Sequence, residues 1–168
     1  DSPPLYFEWG RSLEKFNRLN EAKEKYLKAL EYDSESVEIL SYLGLCCAER
    51  EEYSEAEAIL EKVLAKAPEN KVAKQISAII AYANDENYIN AYYLAKCYEK
   101  QNNDTKVKDY YESAVRINPH YVKAFEGYVR YLMAQDEWLE AQRKLRKALK
   151  YEPQNILLLN LMFYVSYV

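Results

Sequence analysis

A fixed spacing recurs along this 168-residue chain and constrains its fold more than any other feature. Three pairs of residues share that spacing, which we call the repeat period: Gly10 and Gly44, Ala22 and Ala56, and Pro119 and Pro153. Pro68 and Pro119 lie one and a half periods apart. Aligned on these anchors, the chain contains units 3–36, 37–70, 88–121 and 122–155, a half-length insert at 71–87, and the start of a fifth unit at 156–168.

Each unit reads as two helices that pack against each other. Small residues recur at positions 8, 20 and 27 of the units, where two helices must approach closely, and large residues at positions 4, 7, 11 and 24 fill the gaps. In the first unit the small residues are Gly10, Ala22 and Ala29. Proline ends the second helix of three units because it has no backbone N–H. We therefore predict ten helical segments and no strand.

With these residues in place, the chain resembles the tetratricopeptide repeat (TPR) family over the four full-length units. Position 24 illustrates the match, since it holds Tyr26, Leu60, Tyr111 and Leu145. The resemblance implies an all-α fold: an α-solenoid of stacked antiparallel helix hairpins that forms a right-handed superhelix without strands.

The insert at 71–87 departs from the family pattern and leaves two arrangements open. Residues 84–87 form a turn that breaks the array into two blocks, or residues 71–101 form one long helix. Asn84, Asp85 and Asn87 compete with the helix for backbone hydrogen bonds. We favour the turn.

The composition argues against an enzyme, a cofactor and a metal site. The chain has one histidine, His120, only 3 Gly, and no glycine-rich phosphate loop. Its many carboxylates fall at hairpin turns and on a solvated helix face, which does not suit a paired acid and base. Cys46, Cys47 and Cys97 lack metal-ligand spacing and suit buried thiols in a reducing compartment, so we predict a cytoplasmic protein.

Protein binding is the function that the resemblance implies, because the family lines the inner surface of its superhelix with positions 2, 5, 9, 12 and 13 of the first helices. Aromatic and basic side chains dominate the two end regions of this surface and suit a peptide with acidic and apolar residues. The residue pattern of the chaperone-tail clamp is absent. We predict a non-catalytic adaptor or scaffold that binds a protein or peptide through Phe7, Arg11, Lys15, Leu45, Tyr92, Lys96, Lys123 and Arg130.

Two alternatives stay open: a structural unit that self-assembles or scaffolds a larger chain, and a regulatory appendage of an enzyme. Nucleic acid is disfavoured by the net charge of -4. A basic cluster nevertheless lies on the second helix of unit 122–155, which the family places on the outer surface. Its members are Arg143, Lys144, Arg146, Lys147 and Lys150.

The terminal segment 156–168 is nearly all apolar, but it is too short to span a bilayer, which requires about 20 residues. A terminal repeat helix needs a polar outer face. We therefore expect that the chain is a fragment of a longer protein with further repeats, or that two copies bury this segment in a homodimer.

Overall fold

The computed structural model of the chain describes residues 3–166. This part of the chain contains ten α-helices and no strand, as the repeat pattern predicts. They are α1 (Pro3–Lys15), α2 (Leu19–Leu30), α3 (Val37–Glu49), α4 (Tyr53–Lys66), α5 (Lys71–Asn84), α6 (Tyr88–Lys100), α7 (Asp104–Ile117), α8 (Val122–Ala134), α9 (Trp138–Tyr151) and α10 (Ile156–Ser166).

The helices form two compact units, each larger than a single sequence repeat: Asp1–Asn84 with α1–α5 and Asp85–Val168 with α6–α10. From here on, a unit means one of these two, and a repeat means one of the shorter sequence segments. Every helix of the second unit begins at the same offset from its counterpart in the first, so that α1 and α6 begin at positions 3 and 88, and α5 and α10 at positions 71 and 156. This offset equals two and a half repeat periods. Each unit is therefore two hairpins followed by one helix without a partner, and α5 and α6 are separate helices rather than one.

Small residues allow close contact within each hairpin. In α2 the side chains of Ala22, Tyr26 and Ala29 are fully buried. A Cβ atom added at Gly10 would lie 2.6 Å from Cε1 of Tyr26, so a side chain on α1 has no room there. The sequence pattern of small and large positions thus corresponds to the hairpin contact between the first and second helices.

A residue with a left-handed backbone closes each of the four hairpin turns, always at position 15 of the repeat. The φ angles are 56° at Asn17, 64° at Glu51, 54° at Asn102 and 59° at Asp136. Asn and Asp tolerate this conformation better than other non-glycine residues. The repeat pattern therefore extends to the turns, with Glu51 as the exception in residue type.

The unpartnered helices α5 and α10 begin alike. The side-chain oxygen of Asn70 accepts a hydrogen bond from the Ala73 N–H (2.9 Å), and that of Asn155 accepts one from the Leu158 N–H (3.2 Å). These bonds satisfy backbone N–H groups that the helix leaves without a partner. Within the part of the chain that the structure describes, no helix is long and apolar enough to cross a membrane.

Candidate functional site

The groove residues predicted in the first unit are only partly accessible. Phe7 and Leu45 are buried, with 7% and 3% of their surface exposed, so they offer little area to a partner. The Arg11 guanidinium lies over aromatic rings, 5.1 Å from the ring centre of Tyr42 and 5.8 Å from that of Phe7. Lys15 is exposed. The family's position rule places Phe7 and Leu45 on the inner surface of the superhelix, whereas in this structure both side chains are buried.

The second unit presents its predicted groove residues more openly. Tyr92 is half-buried and packs edge-on against Tyr121, with ring centres 5.6 Å apart. Lys96 forms an ion pair with Glu99, which also accepts a hydrogen bond from the Tyr111 hydroxyl at 3.0 Å. Burial raises the pKa of Tyr111, so its hydroxyl stays a donor to this carboxylate.

Lys123 and Arg130, the two predicted residues on α8, are both exposed. The Arg130 side chain is 60% exposed, and its Nε atom donates to Glu126 over 3.0 Å. Its terminal nitrogens have no acceptor among the side chains of residues 3–166, which leaves a guanidinium edge that can bind a carboxylate.

A cleft of about 730 Å³ lies beside Arg130, between α8 and α10 of the second unit. Its walls are mostly apolar, and the polar groups of its lining side chains are one guanidinium, one amide and one phenol hydroxyl. Helix α10 supplies most of the lining. The residues that line the cleft are Arg130 and Met133 of α8, and Ile156, Leu157, Asn160, Leu161 and Tyr164 of α10.

Five of the seven cleft residues occupy positions that the TPR pattern assigns to the inner surface. Arg130 and Met133 stand at positions 9 and 12 of the fourth repeat, and Leu157, Asn160 and Tyr164 at positions 2, 5 and 9 of a fifth. The sequence-based prediction omits the α10 residues, because the apolar composition of 156–168 suggests burial. Applying the position rule to the incomplete repeat would have identified three of them: Leu157, Asn160 and Tyr164.

The corresponding place in the first unit is lined mainly by buried side chains. The counterparts of the lining residues, two and a half periods earlier, lie on α3 and α5. Five of these counterparts are buried: Leu45, Ala48, Gln75, Ile76 and Ile79. Within α8 and α10 the larger residues Met133 and Tyr164 stand where α3 and α5 carry Ala48 and Ile79.

A second polar cluster, at the hairpin turns of the first unit, is a network of ion pairs. The Lys23 ammonium lies 2.8 Å from a Glu52 oxygen and 2.7 Å from a Glu55 oxygen. Ligand atoms of Cys47, Glu52 and Glu55 lie within 4.8 Å of one another. Because the Lys23 ammonium contacts both carboxylates, it supplies the positive charge that balances them.

The pKa values in that cluster follow from burial and from the ion pairs. Burial lowers the pKa of Lys23, but hydrogen bonds to Glu52 and Glu55 more than offset this and raise it. Hydrogen bonds from Arg50 and Lys23 lower the pKa of Glu52 to about 2. Burial raises the pKa of Cys47 to about 12, so this thiol is not a nucleophile near neutral pH.

The stacked hairpins and the cleft define a class of protein, the helical-repeat modules that bind other proteins. Two family models, both described as tetratricopeptide repeat, match residues 7–71 and 90–121, which together make up more than half of the chain. The chain belongs to the tetratricopeptide repeat family. No curated protein sequence matches it.

Several solved structures have a similar arrangement of helices. MamA is 20% identical with a TM-score of 0.49, over 90% of this chain and 92% of MamA. YrrB, described as a TPR protein with an unusual peptide-binding site, is 20% identical with a TM-score of 0.46, over 92% of this chain and 89% of YrrB. TTC0263, a thermophilic TPR protein of Thermus thermophilus, is 16% identical with a TM-score of 0.45, over 97% of this chain and 82% of its own.

Proposed function

We propose that this chain is a non-catalytic interaction module that binds a peptide segment in the cleft between α8 and α10. The observation that carries the proposal is the cleft itself, with its apolar walls and the Arg130 guanidinium at one side. Its volume of about 730 Å³ lies within the range of about 300–1,000 Å³ typical of ligand sites.

The lining residues indicate the chemistry of the peptide. Met133, Leu157 and Leu161 favour apolar side chains, which leave water on binding. The Asn160 amide has both donors and an acceptor, so it suits the backbone of an extended or helical segment. Arg130 favours a carboxylate because its terminal nitrogens point to no other acceptor in the described residues. The ligand is therefore an apolar peptide with an acidic residue.

The free cysteines support a cytoplasmic location for this module. Two of them, Cys46 and Cys47, are fully buried. A chain that keeps three unpaired thiols suits a reducing compartment better than an oxidising one.

Selection of peptides from a random phage-displayed library against the chain tests the proposal. We expect selected peptides to combine apolar residues with Asp or Glu, and Arg130→Glu to weaken their binding by roughly tenfold or more. Thermal stability should change little, because an exposed ion pair contributes about 0–1 kcal/mol. Arg143→Glu is the matched control, since Arg143 is an exposed arginine outside the cleft whose pair with Glu140 is also local.

A second variant, Lys96→Glu, tests whether the peptide binds instead to the predicted groove residues of α6, Tyr92 and Lys96, which we call the α6 groove. Equal binding to the unaltered chain, the Arg130→Glu variant and the Asn160→Ala variant would place the peptide outside the cleft. Loss with Lys96→Glu alone would assign it to the α6 groove.

Self-assembly is the second candidate function, and one observation favours it. Ile156, Leu159 and Phe163 of α10 are exposed by 74%, 45% and 66%. Analytical ultracentrifugation of the chain alone distinguishes the two: a homodimer that forms without ligand supports self-assembly, and a monomer at high concentration excludes it.

A further inference from the structure

Three members of the basic cluster on α9 lie together near the C-terminal end of that helix. Arg146 and Lys150 are exposed, and Lys147 is half-buried between them. They lie on the side of α9 away from Leu145 and Ala148, which are buried. We call Arg146, Lys147 and Lys150 the α9 ridge. None of them lines the α8–α10 cleft.

The cations of the α9 ridge have no carboxylate partner among residues 3–166. Arg146 donates to the side chain of Gln142, at 3.0 Å. The other two cations of α9 are paired, since Arg143 lies 2.8 Å from one oxygen of Glu140 and Lys144 lies 3.3 Å from the other. Glu140 is the only carboxylate of α9. The positive charge of the ridge is therefore not balanced within its own helix.

The basic residues of α9 also repel one another. Arg143 stands three and four residues before Arg146 and Lys147, and these stand four and three residues before Lys150. Like charges at these spacings destabilise a helix. Each of the other three full-length repeats has a single cation at the same four positions, so the repeat fold does not require this arrangement. The residues there are Glu24, Leu27, Lys28 and Glu31; Ala58, Glu61, Lys62 and Ala65; and Asp109, Glu112, Ser113 and Arg116.

Helix α7 limits the width of the basic surface. Two ion pairs join α7 to α9, Lys108 with Glu137 at 2.6 Å and Glu112 with Lys144. Asp109 is exposed on α7, and the Glu112 side chain is 44% exposed. A lipid bilayer or a nucleic-acid duplex spreads its phosphates over more than one helix width, and would bring them against these carboxylates. A single polypeptide segment is narrow enough to follow the ridge alone.

We propose that the α9 ridge binds an acidic segment of a partner protein, whose carboxylates pair with Arg146, Lys147 and Lys150. Leu139 indicates one further feature of this segment. It is 81% exposed and stands two turns before Arg146 on the same side of α9, a distance of roughly 10 Å along the helix axis. A large apolar residue at that distance from the acidic run can contact it. The inference does not rest on the proposed function, because the ridge and the cleft share no residue.

Three fluorescein-labelled synthetic peptides test the proposal against the full chain by fluorescence anisotropy. The first consists of a Leu, a Gly-Ser-Gly spacer that spans roughly 10 Å when extended, and a run of Glu. The second has Gln for every Glu, and the third has Ser for the Leu. We expect the first to bind roughly tenfold or more tightly than the second at low salt, and added salt to weaken it. The third should bind a few times more weakly than the first, and Leu139→Ser in the chain should remove that difference.

Charge reversal in the chain locates the site. The variant with Arg146→Glu and Lys150→Glu should lose binding of the Glu peptide and retain its helical circular dichroism, because both side chains are exposed and have no ion pair to lose. The matched control has Lys62→Glu and Lys71→Glu, which change the net charge equally at two exposed lysines of the first unit. It should bind the peptide nearly as the unaltered chain does.

Three results would overturn the proposal. Equal loss of binding in the two double variants would reduce the effect to net charge. Loss with Arg130→Glu but not with the ridge variant would assign the Glu peptide to the cleft, and would leave the proposed function standing. Phosphatidylserine vesicles or duplex DNA that bind more tightly than the Glu peptide, and only to a chain with an intact ridge, would assign the ridge to phosphates instead of a protein.

Discussion

At the scale of single residues, Gly10 marks the tightest contact in the first hairpin. An added Cβ would lie 2.6 and 2.8 Å from ring carbons of Tyr26, and that ring is fully buried. Alanine is favoured over glycine in a helix by about 1 kcal/mol. The steric clash with the Tyr26 ring acts in the opposite direction and destabilises the fold, typically by about 1–3 kcal/mol.

We therefore predict that Gly10→Ala lowers the free energy of unfolding, by up to about 2 kcal/mol after the helix propensity is deducted. Urea denaturation followed by circular dichroism measures it. The control is Ala95→Gly, the reverse change at the counterpart position, which should destabilise by at least about 1 kcal/mol, because the lower helix propensity and the loss of a buried methyl group act in the same direction. A stabilised Gly10→Ala variant would show that Tyr26 can move aside.

The two units differ in which glycine makes room for this tyrosine ring. In the second unit the counterpart of Tyr26 is Tyr111, and the position without a side chain is Gly127, whose added Cβ would lie 2.7 Å from the Tyr111 hydroxyl oxygen. In the first unit the glycine beside the tyrosine ring lies on the first helix of the same hairpin, whereas in the second unit it lies on the first helix of the next repeat. Its place in the first unit is taken by Tyr42. Sequence spacing alone does not reveal which neighbour each ring approaches.

At the scale of secondary-structure elements, the ion-pair cluster between α2 and α4 makes stability depend on pH. Hydrogen bonds from Arg50 and Lys23 lower the pKa of Glu52 from 4.5 to about 2. A carboxyl group with a lowered folded-state pKa stabilises the fold above its unfolded-state pKa. That stabilisation is lost as the pH falls from about 4.5 towards 2.

We predict that Glu52→Gln lowers the melting temperature at pH 6 and that the difference from the unaltered chain shrinks as the pH approaches 2.5. Differential scanning calorimetry over this pH range measures the effect. Glu57→Gln, an exposed residue of α4 outside the cluster, is the control and should show a nearly constant difference. A Glu52→Gln difference that grows on acidification would contradict the lowered pKa.

The elements themselves could be predicted from the sequence, because the periodic spacing of small residues and prolines determines where hairpins form. The accessibility of the groove and cleft residues could not be predicted from the sequence. The repeat position of Phe7 predicts that it lines the groove, but the rings of Tyr26 and Tyr42 lie 6.0 and 5.4 Å from it and cover it. The cleft depends on the space between α8 and α10, which the sequence pattern does not encode. The composition of α10 predicts burial for the residues that line it.

At the scale of the whole molecule, the division into two units predicts that residues 1–84 fold alone. This unit has its own core, with α5 packed against α3 and α4. We expect a fragment of residues 1–84 to show helical circular dichroism and a cooperative urea transition, as a compact domain should. A fragment that unfolds gradually, without a transition, would mean that this unit depends on the rest of the chain.

The two fully buried cysteines allow alkylation to report the opening of the first unit. Cys46 and Cys47 lie fully buried in the first unit, and Cys97 lies half-buried in the second. Burial raises the pKa of both Cys46 and Cys47 to about 12, so alkylating reagents have almost no thiolate to attack until the surrounding helices separate. The rate at which Cys46 and Cys47 gain a mass tag therefore reports how often the first unit opens. Peptide mapping separates their signal from that of Cys97 in a single reaction, without any introduced probe.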